Sequence, residues 1–293
     1  MKRVAVIGLG LMGASLGLAL KARGFGGRVA GYARRAATRE AALAQGSVDE
    51  VHDDPAQAVQ DADLVVYCTP ILTIPDLVAV SVPHLKAGAI VTDVGSTKAE
   101  LERQIVPQLA DSAATFVGSH PVAGSEQQGL DAARADLYDG AMVIVTPPPA
   151  TSASPAVEQV RAFWSQLGAW VEVMSATEHD RLMARTSHLP HLVASVLALT
   201  VGREGEASRT GRYCGTGFRD TSRIADGSPD VWHDIVHTNR TALAGELAAF
   251  RDALTALIDQ LAQEDSEGIR TALETARTAR RMLLADSPAE SKP

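Results

Sequence analysis

Apolar and polar positions along the chain fall into two regimes. Through residue 174, short apolar runs recur at 4–7, 29–32, 64–68, 90–93, 116–118, 142–145 and 171–174. Most are rich in β-branched residues, and most are separated by segments of helical periodicity. Such alternation predicts a mostly parallel, doubly wound sheet with helices on both faces, an α/β Rossmann-type domain over 1–174. The stretch 146–155 is dense in proline, serine and threonine. It reads as an exposed loop rather than a linker, because a helix (156–167) and another strand follow it. After about Ser175 the strand signal stops, and Ala- and Leu-rich helices take over, interrupted by a polar, glycine-containing segment over 202–229. This predicts an all-helical second domain over 175–285 and a frayed tail at 286–293.

Within the helical half, Leu243, Leu247, Phe250, Leu254, Leu257 and Leu261 are spaced alternately by four and three. That 3.5-residue repeat keeps one seam facing a partner helix. The partner is either the domain's own core or a second subunit, and pattern alone leaves both open.

Composition narrows the class. Across 293 residues, 46% are hydrophobic and 21% charged, as in an ordinary globular protein, and the net charge of −8 disfavours nucleic acid or anionic lipid as a partner. The two cysteines, Cys68 and Cys214, make no framework or Cys-x-x-Cys pair. Neither a signal peptide nor a membrane span is evident, so a cytoplasmic protein is expected.

The first chemistry appears at Gly8-Leu9-Gly10-Leu11-Met12-Gly13, which follows an apolar run and opens a helix. In a dinucleotide-binding turn, Gly8 allows the tight bend, Gly10 lets the backbone approach a pyrophosphate, and Gly13 lets helix and strand pack closely. Leu11 and Met12 then offer backbone N–H groups at the helix N-terminus. Thr69, just past the strand at 64–68, is assigned to the same site. At the end of the second strand, where NAD sites usually carry an acid, the sequence reads Gly31-Tyr32-Ala33-Arg34-Arg35. No carboxylate stands at Ala33 to repel a 2′-phosphate, and Arg34 and Arg35 can pair with one. NADP is therefore expected in preference to NAD.

A dehydrogenase also needs a group near the substrate hydroxyl, and histidine suits this with a pKa of about 6.5. His120 follows the run at 116–118 in a polar loop, at the carboxyl end of an expected parallel strand, where such sheets bind ligands. Ser96, in Asp93-Val94-Gly95-Ser96-Thr97-Lys98, lies past another strand end and is alternatively a helix N-cap. His179, His188 and His191 fall close together without a spaced carboxylate or cysteine partner, so no metal site is assigned. Arg209, Arg212, Arg219 and Arg223 crowd one glycine-rich segment and read as an anion site.

Taken in order, the glycine loop, 93–98, 120–126, Glu178-His179-Asp180, 187–191 and 217–225 resemble the prephenate and arogenate dehydrogenases of tyrosine biosynthesis. The resemblance implies oxidative decarboxylation of prephenate to 4-hydroxyphenylpyruvate, or of arogenate to tyrosine, with a nicotinamide cofactor. It implies that His120 is the catalytic histidine and that Ser96 hydrogen-bonds near it. Arg223 would bind a substrate carboxylate, Ser125 and His191 would line the substrate pocket, and Arg219 falls where a basic residue is usual. It also implies a homodimer through the helical domain. Three departures stand out: Ala33 for the acid of NAD-using members, Thr216 in a stretch often richer in glycine, and Ser125 where threonine is common. With the glycine loop at residue 8, no chorismate mutase domain is expected in front, nor a regulatory ACT domain behind. Two other readings remain: a Rossmann dehydrogenase of the β-hydroxyacid type, and a non-catalytic NADP-binding redox sensor.

Overall fold

The computed structural model describes residues 1–123, 129–203 and 207–285. Strand–helix alternation builds β1 (Arg3–Ile7), α1 (Leu11–Ala22), β2 (Arg28–Tyr32), α2 (Ala36–Gln45), β3 (Glu50–His52), α3 (Pro55–Ala58), β4 (Leu64–Tyr67), α4 (Ile74–Ser81), β5 (Ile90–Asp93), α5 (Ala99–Gln108) and β6 (Thr115–Phe116). The six strands are all parallel, in the order β3-β2-β1-β4-β5-β6. The order reverses between β1 and β4, and the crevice outside their carboxyl ends is where such sheets take ligands.

The apolar runs are continuous because both faces of the sheet are covered. Val4 and Val6 of β1, with Leu64 and Val66 of β4, enter one core. Their neighbours Ala5, Ile7, Val65 and Tyr67 enter the other. Alternating side chains thus leave no polar face on a central strand.

The sheet does not continue as one layer, and this corrects the expected strand over 116–118. β6 ends at Phe116, and the chain passes through Val117 into β7 (Gly118–Val122), which pairs antiparallel with β8 (Met142–Thr146). β8 in turn pairs parallel with β9 (Trp170–Val173), giving a second, three-stranded sheet in the order β7-β8-β9. A Cβ on Gly118 would lie 2.6 Å from the Thr146 hydroxyl, so glycine permits the close approach where the chain changes sheets. Pro121 has no N–H to donate and is tolerated because β7 is an edge strand. Between β8 and β9 runs α6 (Pro155–Gln166), capped by the Ser154 hydroxyl accepting from Ala156 N–H.

The following helices are α7 (Ala176–Met183), α8 (Leu189–Val201), α9 (Ala207–Thr210), α10 (Thr216–Ser222), α11 (Pro229–Thr238), α12 (Arg240–Ala262) and α13 (Ser266–Ala285). A π-helical stretch, Ala184–His188, joins α7 to α8. Pro190 lacks the N–H that a regular helix would use there, which explains the local widening. The chain divides into two compact units, Met1–Leu243 and Ala244–Pro293. The boundary expected at 174/175 lies inside the first, where Ser175 caps α7 directly after β9. Along α12, Leu243 is buried while Phe250, Leu254 and Leu261 are exposed. The tail at 286–293 lies outside the described residues.

Candidate active site

The crevice between β1 and β4 is shaped by its glycines. Gly8 has φ of +109°, and a Cβ there would come within 2.7 Å of the Thr69 methyl and 2.8 Å of the Cys68 backbone. A Cβ on Gly13 would lie 1.9 Å from the Gly8 carbonyl oxygen, so only glycine lets α1 sit this close to the turn. Gly10, by contrast, has nothing within 4 Å of its Cβ position and leaves its backbone open to the crevice. No side chain caps α1, so the N–H groups of Leu11, Met12 and Gly13 open the helix without an intrahelical partner. Tyr138 braces this turn by donating its hydroxyl to the Met12 carbonyl at 2.7 Å.

A cavity of about 620 Å³ follows the crevice, lined among others by Gly8, Gly10, Ala33, Arg34, Arg35 and Thr69. Arg35 precedes the first turn of α2 in extended conformation, so both arginines stand at a helix end favourable to anions. Arg39 holds their loop in place, donating through Nη1 to the carbonyls of Ala33 (2.8 Å) and Arg34 (3.1 Å). An open glycine backbone and a bare helix N-terminus together fit the pyrophosphate of a dinucleotide cofactor.

His120 stands in the middle of β7, not in a loop past a parallel strand, which corrects the expected setting. Its neighbours lock it in place. Ser119 Oγ donates to the Asp93 carbonyl at 2.6 Å, accepts from Trp164 Nε1 at 3.1 Å and is 2.9 Å from Thr92 Oγ1. Lys98 is 1% exposed; its ammonium pairs with the fully buried Asp93 and donates to the Ser119 carbonyl at 2.8 Å. These contacts tie β7 to the carboxyl end of β5.

Behind His120 lies a chain of buried polar groups. His120 Nδ1 is 2.8 Å from His179 Nε2, and His179 Nδ1 is 2.8 Å from Asp180 Oδ1. Asp180 also accepts the backbone N–H of Lys98 (2.8 Å) and of Ala99 (2.9 Å), thereby capping α5 from a distant helix. Ser96 does not serve as that cap, since α5 has no local side-chain cap. Ser96 is half-buried in the β5–α5 loop, and among the described residues no hydrogen bond joins it to His120. Burial holds His120 well below the ordinary histidine pKa, reinforced by the proximity of His179, Lys98 and His188. Burial also lowers His179, against the opposing pull of Asp180.

The π-helical stretch brings His188 and His191 inward. Asn239 Nδ2 donates to the Asp180 carbonyl at 2.8 Å and approaches His188 Nδ1 at 3.1 Å. Burial takes the pKa of His188 down to about 4. His191 stacks on Trp232, with ring centroids 3.4 Å apart, and both line a cavity of about 530 Å³ with His237 and Arg240. Arg219 and Arg223 line a neighbouring concavity with Asp220 and Asp226, and Ala225 belongs to the walls of both. The expected pocket residue Ser125 lies outside the described residues. Among the described residues, no group of three or more His, Cys, Asp or Glu side chains is arranged to hold a metal. Lys98, Asp180 and Trp232 received no role from the sequence, although Glu178-His179-Asp180 marked the right segment.

Comparison with known proteins agrees with this architecture. Residues 16–173 match the prephenate dehydrogenase nucleotide-binding domain, and residues 175–275 match the prephenate dehydrogenase dimerization domain. The chain is 36% identical over 287 residues to the cyclohexadienyl dehydrogenase of Zymomonas mobilis, covering 97% of both proteins. Prephenate dehydrogenase from A. aeolicus, solved with hydroxyphenyl propionate and NAD+, superposes with a TM-score of 0.89 at 30% identity, over 97% of this chain and 98% of that one. Arogenate dehydrogenase from Synechocystis superposes with a TM-score of 0.83 at 30% identity, over 96% and 99% of the two chains. An α/β dinucleotide fold followed by helices, with these matches across nearly its whole length, identifies the chain as a dehydrogenase that belongs to the prephenate dehydrogenase family.

Proposed function

We propose that the protein oxidatively decarboxylates prephenate to 4-hydroxyphenylpyruvate with NADP, arogenate being the alternative substrate. The observation that carries this reading is His120, a buried histidine held neutral beside the β5 end of a dinucleotide-binding sheet. A bound nicotinamide supplies the hydride acceptor. In the substrate, the C4–H bond breaks as hydride, the C1–carboxylate bond breaks to release carbon dioxide, and its electron pair completes the aromatic ring. The C4 oxygen keeps a hydrogen in the phenol product, so no net proton leaves. His120 therefore accepts a hydrogen bond from that hydroxyl and raises the electron density at C4, which a neutral imidazole can do and an imidazolium cannot.

The arginines belong on the carboxylate that is retained. Pairing stabilises a carboxylate, so gripping the C1 group would oppose its departure as carbon dioxide. Arg223, supported by Arg219, is assigned to the side-chain carboxylate, with His191 and Ser125 lining the pocket and Ser96 ordering the β5–α5 loop. Gly8, Gly10, Leu11, Met12, Gly13 and Thr69 would hold the pyrophosphate side of the cofactor, and Arg34 and Arg35 the 2′-phosphate. The apolar face of α12 at Phe250, Leu254 and Leu261 suits a homodimer contact.

Absorbance at 340 nm, with prephenate and arogenate each tested against NAD and NADP, checks the reading. Fast reduction of NADP with prephenate is expected. Silence in all four mixtures, with cofactor binding shown separately, would sink it.

A further inference from the structure

The chain of contacts behind His120 has a direction. Both oxygens of Asp180 accept backbone N–H bonds, from Lys98 and Ala99, so Asp180 meets His179 as an acceptor. The proton shared at 2.8 Å then resides on His179 Nδ1. A neutral imidazole carries one N–H, which leaves His179 Nε2 with a lone pair. That nitrogen faces His120 Nδ1 at 2.8 Å, so the proton in this second contact resides on His120. His120 Nε2 is left as the acceptor.

We propose that His179 and Asp180 are positioning residues that set the tautomer of His120, holding its proton on Nδ1 so that Nε2 accepts the substrate hydroxyl. The inference rests on the reading of His120 as the catalytic histidine, but the tautomer itself is independent of any substrate. The opposite tautomer would present an N–H donor to the hydroxyl oxygen and withdraw density from C4, reversing the effect the reaction needs. Free imidazole in water does not settle this choice by itself, and a buried ring needs a partner to fix it.

The geometry gives Asp180 two tasks at once. Its carboxylate orients His179, and its bonds to Lys98 and Ala99 fix the start of α5. Lys98, from the same turn, reaches the Ser119 carbonyl one residue from His120. Asn239, at the C-terminal end of α11, holds the Asp180 carbonyl. The histidine is thus gripped at its ring by α7 and at its backbone by the β5–α5 loop, and a change at either grip reaches Nε2.

Two-bond ¹H–¹⁵N spectra of the full-length protein with ¹⁵N-labelled histidine read the tautomers directly, His120 being assigned by its loss in His120→Asn. His120 and His179 are both expected as Nδ1–H forms, and an Nε2–H form of His120 in the unaltered protein overturns the proposal. His179→Phe removes the acceptor while keeping a ring. It should lower kcat by about 10³-fold with KM moved less than about threefold, and the His120 signal should lose its single Nδ1–H pattern. His179→Gln can donate to Asp180 through Nε2 and accept from His120 through Oε1. It should recover about tenfold or more of the lost kcat. A phenylalanine variant with kcat within about threefold of the parent, or a glutamine variant no better than phenylalanine, also overturns it. Absence of turnover with prephenate and arogenate would strike the substrate assignment alone, since the spectra still decide the tautomer.

Discussion

His191 lies flat on Trp232, the two ring planes 11° from parallel and their centroids 3.4 Å apart. The pair closes one wall of the cavity in the helical region, and Gly227 lines the same cavity against it, where a Cβ would come 2.6 Å from Trp232 Nε1 and 3.0 Å from His191 Cε1.

Gly227→Ala should therefore crowd both rings and disturb the stack. Gly227 has φ of −59° and ψ of 150°, which alanine adopts freely, so the effect is steric and not conformational. The expected cost is about 1–3 kcal/mol in urea unfolding, with KM for the cyclohexadienyl substrate raised by about tenfold. An unchanged KM with normal stability would remove the stack from the substrate pocket.

Acid should unfold the protein earlier than its carboxylates alone require. His120, His179 and His188 all have lowered pKa values in the folded state, His188 at about 4, with burial as the leading cause. The unfolded chain binds protons on these rings near the ordinary value of about 6.5, while the folded protein resists them. Their contribution to stability is present above that value and lost as pH falls from about 6.5 towards about 4. Urea midpoints measured across this window should decline with pH, and His188→Asn should flatten the slope. The same logic keeps His120 neutral at and below pH 6.5, so kcat should hold its plateau into mildly acidic solution. A limb centred at or above 6.5 would contradict that assignment.

Lys98 and Asp93 form an ion pair with 1% and 0% of their side chains exposed. Lys98→Met strands the carboxylate in the interior and should cost about 3–5 kcal/mol. Adding Asp93→Asn removes the stranded charge and should return part of that loss. Equal stability of the single variant and the parent, measured by denaturant unfolding, would show that the pair is not shut off from water as its burial indicates.

What the chain reveals before folding depends on whether the cause is local. β1, β4 and β5 were legible because each is a short β-branched run with both faces buried, β2 because an apolar run recurs at 29–32 after the first helix, and Gly8-Leu9-Gly10-Leu11-Met12-Gly13 declares its turn by glycine spacing. β3 was not legible: Glu50-Val51-His52 has no apolar run, and its strand form comes from pairing with β2. The change of sheet at Gly118 was hidden as well, since residues 116–118 read as one strand and the polar, glycine-flanked residues after them as a loop. His120 was singled out by residue type, but its setting in β7 was not legible. Its partner His179 is 59 residues away, and the lysine that supports both is buried against the usual preference of its kind. Such pairings are made by tertiary packing, and no local pattern carries them.

Cofactor choice offers the sharpest single test, because one side chain should reverse it. Ala33 is 7% exposed at the end of β2 and lines the cavity between the glycine loop and Arg34. A carboxylate there would accept from a ribose 2′-hydroxyl and repel a 2′-phosphate at the same atom. Ala33→Asp should lower kcat/KM for NADP by about 10²-fold and raise it for NAD, an exchange of about 3 kcal/mol in selectivity. Arg39→Ala leaves both arginines present but releases the carbonyls of Ala33 and Arg34 that it anchors. It should weaken NADP by a smaller factor without improving NAD, because the loop is loosened and no acceptor is added. If Ala33→Asp left the ratio of the two kcat/KM values unchanged, the 2′-position would lie elsewhere than beside Arg34 and Arg35.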